Sequence, residues 1–305
     1  MQSPKTSYPL SVWIALASVY VVWGSTYLAI HFAIETIPPF FMAGTRFLVS
    51  GLLLYFVMRW RGEARPTFRH WKSAFVAGFF LLVVANGGVS WAEQRVPSGM
   101  TALLVGTVPL WIALLQWIWK GEARPGWQVW TGIGLGTAGI ALLVLSRGGL
   151  GAERADFWSA LLLVATSLAW AFGSLYSRSA ELPPSPLLAT AMEMLAGGVM
   201  QLGVGLVLGE SSQIHFSGIT FQSGTAWIYL TLIGSLVGFT SYIWVLQKAT
   251  PALASTYAFV NPVIAVFLGW LFAGEALTPP VYGSALLIVA AVALITLAPN
   301  RKKRV

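Results

Sequence analysis

The sequence predicts an all-α integral membrane protein whose ten transmembrane helices form two inverted five-helix repeats. Three observations support this prediction: an apolar composition, a series of apolar runs long enough to cross a bilayer, and an internal repetition. Apolar residues make up 57% of the 305 residues, whereas Asp, Glu, Lys and Arg together make up only 9%. An ordinary soluble domain has roughly 25% charged residues. This chain has too little charge to cover a water-facing surface.

Composition also excludes several classes of protein. The formal net charge is +8, but the basic residues lie in short loops and at the C-terminus rather than along one face, so we expect no nucleic-acid partner. The chain has no cysteine, which excludes disulfides and thiolate chemistry. His31, His70 and His215 show no ligand spacing, so we expect no metal site. No motif indicates a cofactor.

Ten apolar runs reach the length of about 20 residues that a helix needs to cross the hydrocarbon. They cover residues 11–31, 38–58, 72–92, 97–118, 127–146, 157–177, 185–209, 225–246, 251–273 and 280–298. The first run continues to Ile30, past a segment that resembles a signal-peptide cleavage site, so it is predicted to be a retained span. Between the third and fourth runs the break is short, consisting mainly of Glu93-Gln94-Arg95 and Pro97.

The chain repeats itself at two spacings. At 147 residues, Trp23, Pro39, Arg46 and Gly51 recur as Trp170, Pro186, Glu193 and Gly198. At 153 residues, Pro109 and Gly121-Glu122-Ala123 recur as Pro262 and Gly274-Glu275-Ala276. Residues 1–150 are the predicted first repeat, and residues 151–305 are the second repeat with a short basic tail. Because each repeat has five spans, an odd number, the second should lie inverted relative to the first.

The basic residues predict the orientation, because cytoplasmic loops are enriched in Lys and Arg. With the N-terminus inside, 14 basic residues fall on the inner side and 3 on the outer side, and Arg46 lies within a span. Both termini are therefore predicted to be cytoplasmic. Inverted repeats are typical of secondary transporters, whose substrate site lies near the midplane between the repeats.

Catalytic motifs are missing from the sequence. It has no Walker-type phosphate loop, HExxH pair or nucleophile elbow, so we expect neither ATP-driven pumping nor an enzyme. Gly134-x-Gly136-x-x-Gly139 matches a dinucleotide fingerprint but lies within an apolar helical run. We interpret it, and Gly234-x-x-x-Gly238, as small-residue surfaces for close helix packing.

Arg46 and Glu193 are charges inside spans, where each costs about 2.5–3.5 kcal/mol on insertion scales. They occupy equivalent repeat positions at depths that differ by about 10 Å. One interpretation is structural, with each charge satisfied by carbonyls, hydroxyls or the other charge. The other is functional, with Arg46 as an anchor for an anionic group and Glu193 as a contact for an amine or as a proton carrier.

Further polar and aromatic residues lie within the spans. Two aromatic and hydroxyl clusters, at residues 23–27 and 170–176, contain glycines that would allow local unwinding, and Asn261 precedes a helix-breaking Pro262. Buried polar groups need partners, and a wet cavity can supply them. The predicted substrate-binding residues are Trp23, Ser25, Tyr27, Arg46, Asn86, Trp170, Tyr176, Glu193, Tyr242, Tyr257 and Asn261.

Four features resemble the drug/metabolite transporter superfamily, and more specifically its EamA-type bacterial inner-membrane exporters. They are the segments 22–27 (VWGSTY), 42–47 (MAGTRF) and 96–99 (VPSG), and the Gly-Glu pairs after the fourth and ninth runs. The similarity covers almost the whole chain. It implies ten helices in two inverted repeats and export of amino acids, related metabolites or toxic organic compounds from the cytoplasm. It brings no motif that assigns the substrate.

The resulting hypothesis is a secondary transporter that works by alternating access. The expected partners are a small-molecule substrate and the lipid bilayer, with protons as partners too if Glu193 couples transport to them; the alternative is facilitation down the solute gradient. We expect the cavity to be lined by the first span of each half and by the third, fourth, eighth and ninth spans. The alternatives are a flippase of a lipid-linked substrate, with a cavity open sideways to lipid, and a non-transporting sensor or scaffold.

Overall fold

The computed structural model describes residues 8–121, 126–145, 157–249 and 256–296. Within these ranges the chain is helical and contains no strand, so the predicted all-α class is confirmed. The Gly121-Glu122-Ala123 turn lies partly outside the described residues, as do the start of the predicted ninth run and the basic tail.

The helices follow the predicted apolar runs closely. Three of them, α3, α4 and α8, are made of consecutive helical segments. The bounds are α1 Leu10–Ile34, α2 Pro39–Trp60, α3 Phe68–Ala92, α4 Ser98–Ile118, α5 Trp127–Leu145, α6 Phe157–Ser177, α7 Pro186–Val207, α8 Phe221–Lys248, α9 Tyr257–Ala273 and α10 Pro279–Thr296. Short 3₁₀ turns, Glu210–Ser212 and Phe216–Gly218, lie between α7 and α8.

Among the described residues, seven helices are long and apolar enough to cross a membrane: α1, α2, α3, α4, α6, α7 and the Phe221–Tyr242 part of α8. Shorter apolar stretches run over Val260–Ala273 and Pro279–Ile295. Large apolar side chains cover the outside, including Phe56, Trp60 and Phe221. In water such a surface would be unfavourable, so the chain is a multi-pass membrane protein.

Proline and glycine set several helix ends. Pro39 and Pro186 occupy the first positions of α2 and α7, where the missing N–H removes no helical hydrogen bond. Gly274 ends α9 in the left-handed conformation, with φ +66°, which a residue with a Cβ rarely adopts. Pro262, by contrast, does not break the helix: α9 continues through it, because only one helical hydrogen bond depends on the missing N–H.

The predicted local unwinding at the glycines is also wrong. Both α1 and α6 run as continuous helices through Gly24 and Gly173. These glycines instead permit close packing, since a Cβ at Gly24 would lie 2.8 Å from Ile264 on α9, and one at Gly173 would lie 2.8 Å from Leu81 on α3.

The helices pack in pairs drawn from the two halves of the chain. The most extensive contacts are α2 with α7, α5 with α10 and α1 with α8, followed by α3 with α6 and α7, and then by α6 with α4 and α1 with α9. At the α2–α7 crossing, a Cβ on Gly51 would lie 3.0 Å from the backbone nitrogen of Leu195. One on Gly198 would lie 2.9 Å from the backbone nitrogen of Leu48.

Two helices contain π-helical segments that the sequence analysis did not predict. They are Phe79–Gly87 within α3 and Leu230–Val237 within α8. Such segments are rare and often occur at functional sites. Both segments lie beside the central cavity described next.

Candidate functional site

A central cavity lies between the helices, with an empty volume of about 850 Å³ including the part open to solvent. Its walls come from α1, α3, α4, α6, α8 and α9, as predicted, and α2 adds one residue. The polar and aromatic lining residues are Trp23, Thr26, Tyr27, Arg46, Asn86, Thr166, Trp170, Phe239, Tyr257 and Asn261.

One wall is a cluster of aromatic rings centred on Trp23. The ring centroid of Trp23 lies 5.0 Å from that of Tyr242, 5.2 Å from Tyr257 and 5.3 Å from Phe239. Gly238 makes this approach feasible, since a Cβ there would lie 2.5 Å from Trp23 Nε1. The contacts with Phe239 and Tyr257 are edge-on and the contact with Tyr242 is tilted, and contacts at these distances stabilise the rings against one another.

Arg46 on α2 is the one lining residue described that carries a formal charge. Its side chain is only 3% exposed. The Nε donates to Ser235 Oγ at 3.0 Å, and the guanidinium carbon lies 4.7 Å from the Phe47 ring centroid. Arg46 Nη1 has no hydrogen-bond partner among the described residues. A guanidinium has five N–H donors, so donors remain for an acceptor in the cavity.

The π-helical segment of α8 positions the partner of Arg46. Ser235 Oγ donates to the carbonyl oxygen of Leu230, five residues earlier, at 3.0 Å. From α2, Ser50 Oγ lies 2.9 Å from the carbonyl oxygen of Thr231. At Gly234 a Cβ would lie 3.3 Å from Arg46 Nη2. The segment therefore supplies both the hydroxyl and the space that the guanidinium needs.

Two side-chain amides face the cavity from opposite repeats. Asn86 lies in the π-helical segment of α3. Asn261 lies on α9, and its amide nitrogen donates to the carbonyl oxygens of Tyr20 and Tyr257 at 3.2 Å each, in the orientation that satisfies its hydrogen bonds. Ala258 is another lining residue. Its carbonyl oxygen lacks its usual helical donor, because Pro262, four residues later, has no N–H.

Seven of the eleven predicted residues line the cavity, and four do not. Ser25 lies 2.6 Å from the Tyr229 hydroxyl and donates to the carbonyl oxygen of Val22. Tyr242 packs behind Trp23 and Tyr257. Tyr176 and Glu193 also lie outside the set of lining residues, and Glu193 Oε1 accepts from Ser177 Oγ at 2.7 Å. Substrate contact by these four remains a prediction.

Arg46 and Glu193 do not pair with each other. Each has a hydroxyl partner instead, Ser235 for Arg46 and Ser177 for Glu193. Among the described residues, Arg69 and Glu181 form an ion pair, with 3.7 Å between Nη1 and Oε2, and both side chains are exposed. The structural interpretation offered carbonyls, hydroxyls or the other charge as partners, and the structure contains the hydroxyl partners.

The sequence analysis missed Thr26, Thr166 and Phe239 as lining residues. The hydroxyls of Thr26 and Thr166 donate to carbonyls of their own helices, as threonine often does within a helix. Thr26 belongs to the cluster at residues 23–27, which was a usable signal. Phe239 has no such signal, since one apolar residue in an apolar span resembles any other. Among the described residues, no group of three or more His, Asp or Glu could hold a metal ion.

Comparison with known proteins adds the family. The sequence profile of the EamA-like transporter family matches twice, over residues 10–145 and 157–297. The chain belongs to this family. The resemblance to this group of transporters, seen in the motifs, is therefore confirmed. Because the family is one of transporters, an enzymatic role is not implied.

Several proteins similar to this chain are transporters or exporters by name. The uncharacterized inner membrane transporter YedA of Escherichia coli K12 is 39% identical over 285 residues, covering 93% of this chain and 90% of YedA. A probable terminal-alkyne amino-acid exporter of Streptantibioticus cattleyicolor is 23% identical over 288 residues, covering 93% of both chains. A crystal structure with 19% identity and a TM-score of 0.65 covers 95% of this chain and 99% of its own, and shows the shared fold.

Proposed function

We propose that this protein is a secondary transporter of the bacterial inner membrane that exports small organic solutes from the cytoplasm by alternating access. Family membership supports transport, and the name of YedA supports the inner membrane. The central cavity, bounded by helices from both halves of the chain, supplies a place for a solute.

The architecture proposed for this function has ten crossings in two inverted five-helix repeats, residues 1–150 and 151–305, with cytoplasmic termini. The two matches to the family profile support a duplication. The α2–α7 crossing supports a pseudo-two-fold axis, because its contacts are reciprocal. Gly51 faces Leu195 while Gly198 faces Leu48. The two glycines, and likewise the two leucines, are separated by the repeat spacing of 147 residues.

Within the cavity, Arg46 is the proposed anchor for an anionic group on the solute. No carboxylate lines the cavity among the described residues, and Arg46 Nη1 is unpartnered. The aromatic wall around Trp23 would pack against an apolar body. Amino acids and related carboxylates combine these features, and the amino-acid exporter among the relatives agrees with this class. The observation that carries the proposal is the buried Arg46 guanidinium in the cavity wall, with its Nη1 unpartnered among the described residues.

Uptake into proteoliposomes tests the proposal with a matched pair of solutes, L-phenylalanine and L-phenylalaninamide, which differ in the carboxylate. A hydrogen bond to a charged group contributes about 1.5–3 kcal/mol, or roughly 10- to 150-fold in affinity. We expect Arg46→Gln to raise the phenylalanine concentration that gives half-maximal uptake by this factor. The variant should also no longer distinguish phenylalanine from phenylalaninamide. Arg46→Lys should retain part of this discrimination, because the charge remains without the fork.

The matched control is Arg95→Gln, which removes an exposed arginine that packs over Trp91 outside the cavity. It should leave discrimination between acid and amide unchanged. Equal selectivity in Arg46→Gln and wild type would contradict the anchor. Absence of uptake for every member of a broader panel of amino acids and aromatic carboxylates would contradict transport itself.

A further inference from the structure

Glu93 is a buried carboxylate without a partner. It follows the last residue of α3 and is 2% exposed. Neither Oε1 nor Oε2 has a hydrogen-bond partner among the described residues. A carboxylate that is ionised, buried and unpaired is strongly unfavourable, so such a group takes up a proton or binds a cation.

The groups around Glu93 do not offer a compensating positive charge. Glu275 after α9 acts on it by charge repulsion. Arg46 on α2 instead bonds Ser235 on α8. From α6, the uncharged Thr166 packs beside α3 at Gly88, where a Cβ would lie 2.6 Å from Thr166 Cγ2. Arg95, two residues along the chain, is exposed and lies over Trp91.

Glu275 is held by three hydrogen bonds from the first turn of α4. Its Oε1 accepts from the backbone nitrogen and the hydroxyl of Ser98, at 2.6 Å each, and its Oε2 accepts from the nitrogen of Gly99 at 2.9 Å. These bonds, called here the Glu275 cap, hold the first turn of α4 against the loop after α9. The cap places a carboxyl group at a helix N-terminus, where negative charge is favoured.

Glu93 lies outside the α3 span, which ends at Ala92. Burial raises the pKa of its carboxyl well above the ordinary value of 4.5, and repulsion from Glu275 raises that pKa further. Both effects disfavour the ionised form of the same carboxyl.

We propose that Glu93 is a proton-binding site that couples proton movement to transport through the Glu275 cap. This inference rests on the proposed transport function. With a proton on Glu93, the Glu93 carboxyl carries no charge to repel Glu275, and the cap is stable. When the proton leaves, the Glu93 carboxylate repels Glu275 and weakens its hold on Ser98 and Gly99. Loss of the proton thus frees α4, which lines the cavity through Ala102 and Val105.

The proton balance is simple: one proton joins the Glu93 carboxylate on one side of the membrane and leaves the neutral carboxyl on the other. The capped helix α4 connects this site with the solute, because Ala102 and Val105 on α4 line the cavity. Solute and proton binding can therefore influence each other through α4.

Two transport measurements on the full chain in proteoliposomes separate coupling from transport. Exchange of labelled for unlabelled L-phenylalanine requires transport but no coupling ion. Stimulation of uptake by an acid interior requires, in addition, that proton exit is coupled to solute entry. We expect wild type to show several-fold stimulation that an ionophore abolishes, and Glu93→Gln to exchange phenylalanine without any stimulation. The control Glu181→Gln, which alters an exposed carboxylate, should behave as wild type.

The outcomes distinguish the two proposals. Exchange without stimulation by the gradient in wild type overturns the proton site and leaves the transport function standing. Stimulation that persists in Glu93→Gln but disappears in Glu193→Gln assigns the proton to Glu193 and also overturns this inference.

Thermal unfolding in detergent tests the site without any solute. A carboxyl whose pKa is raised by folding stabilises the protein at low pH, and this contribution is lost as pH rises above 4.5 through the raised pKa. Wild type should therefore lose stability towards pH 8 more steeply than Glu93→Gln, and the variant should be the more stable at pH 8. Parallel pH profiles for the two proteins would overturn the proposal.

Discussion

At the scale of single residues, buried carboxylates that cap helices from a distance join the two halves of the chain. Glu210, 5% exposed, accepts from the backbone nitrogens of Phe40 at 3.1 Å and Phe41 at 2.7 Å. Glu275 does the same for α4. The first N–H groups of a helix have no helical partner, and each carboxylate satisfies two of them from the other half of the sequence.

Glu210→Gln tests the value of such a cap. The amide oxygen can accept only part of what the carboxylate accepts and carries no charge, so we expect a loss of about 1–2 kcal/mol of stability, typical of a lost N-cap. The measurement is thermal unfolding in detergent. Glu181→Gln is the matched control, because its exposed pair with Arg69 contributes about 0–1 kcal/mol. Equal melting temperatures for the two variants would contradict the capping role.

At the scale of helices, small residues determine which surfaces meet. The segment that resembles a dinucleotide fingerprint packs α5 on α10: a Cβ on Gly136 would lie 3.5 Å from Ala291, and one on Gly139 would lie 2.8 Å from Ile288. The packing interpretation is confirmed for these two glycines. It is wrong for Gly134, where nothing lies within 4 Å of an added Cβ.

The crossing of α2 and α7 offers the sharpest test at this scale. A Cβ on Gly198 would lie 2.9 Å from the backbone nitrogen of Leu48 and 3.0 Å from the carbonyl oxygen of Gly44. Backbone atoms cannot yield as flexible side chains do, so Gly198→Ala should destabilise the protein by about 1–3 kcal/mol. We expect a lower melting temperature in detergent and a smaller yield of folded protein.

Gly203→Ala is the matched control on the same helix, since nothing lies within 4 Å of its added Cβ. Alanine favours helix over glycine by about 1 kcal/mol, so this variant should be as stable as wild type or more so. If both substitutions had the same effect, the close approach of the two helices would not be the cause.

At the scale of the whole molecule, the inverted arrangement makes a prediction about sidedness. The chain has no cysteine, so single introduced cysteines can be labelled without background. Ala64 and Ser211 are exposed and, separated by the repeat spacing of 147 residues, occupy equivalent repeat positions. In an inverted repeat they lie on opposite sides, so a membrane-impermeant maleimide applied to whole cells should label Ser211→Cys. It should label Ala64→Cys only after permeabilisation.

Labelling both cysteines from the same side would mean that the two repeats run parallel, and the proposed pseudo-two-fold axis would then be wrong. Labelling of Ala64→Cys alone from outside would keep the inversion but reverse the predicted orientation of the termini. Each result changes which end of the cavity faces the cytoplasm.

The sequence by itself determined the helical class and the approximate helix bounds, because an apolar run in a bilayer must form a helix to satisfy its backbone groups. It also indicated Arg46 as a candidate site residue, since a charge inside a span is costly and is expected to have a partner or a function. Seven of the candidate residues line one cavity, and the guanidinium and amide groups among them are polar groups that are seldom left facing lipid within a span.

Only the tertiary structure decided which of these groups share a wall and which partners they have. That Arg46 bonds Ser235 rather than Glu193, and that α9 passes through Pro262 unbroken, depends on contacts between helices far apart in the chain. The sequence did not predict that Glu93 is buried without a hydrogen-bond partner, since a glutamate in a short connection between spans is typical of a solvated turn. Burial and hydrogen bonding are properties of packed neighbours, and the order of residues along one chain does not specify them.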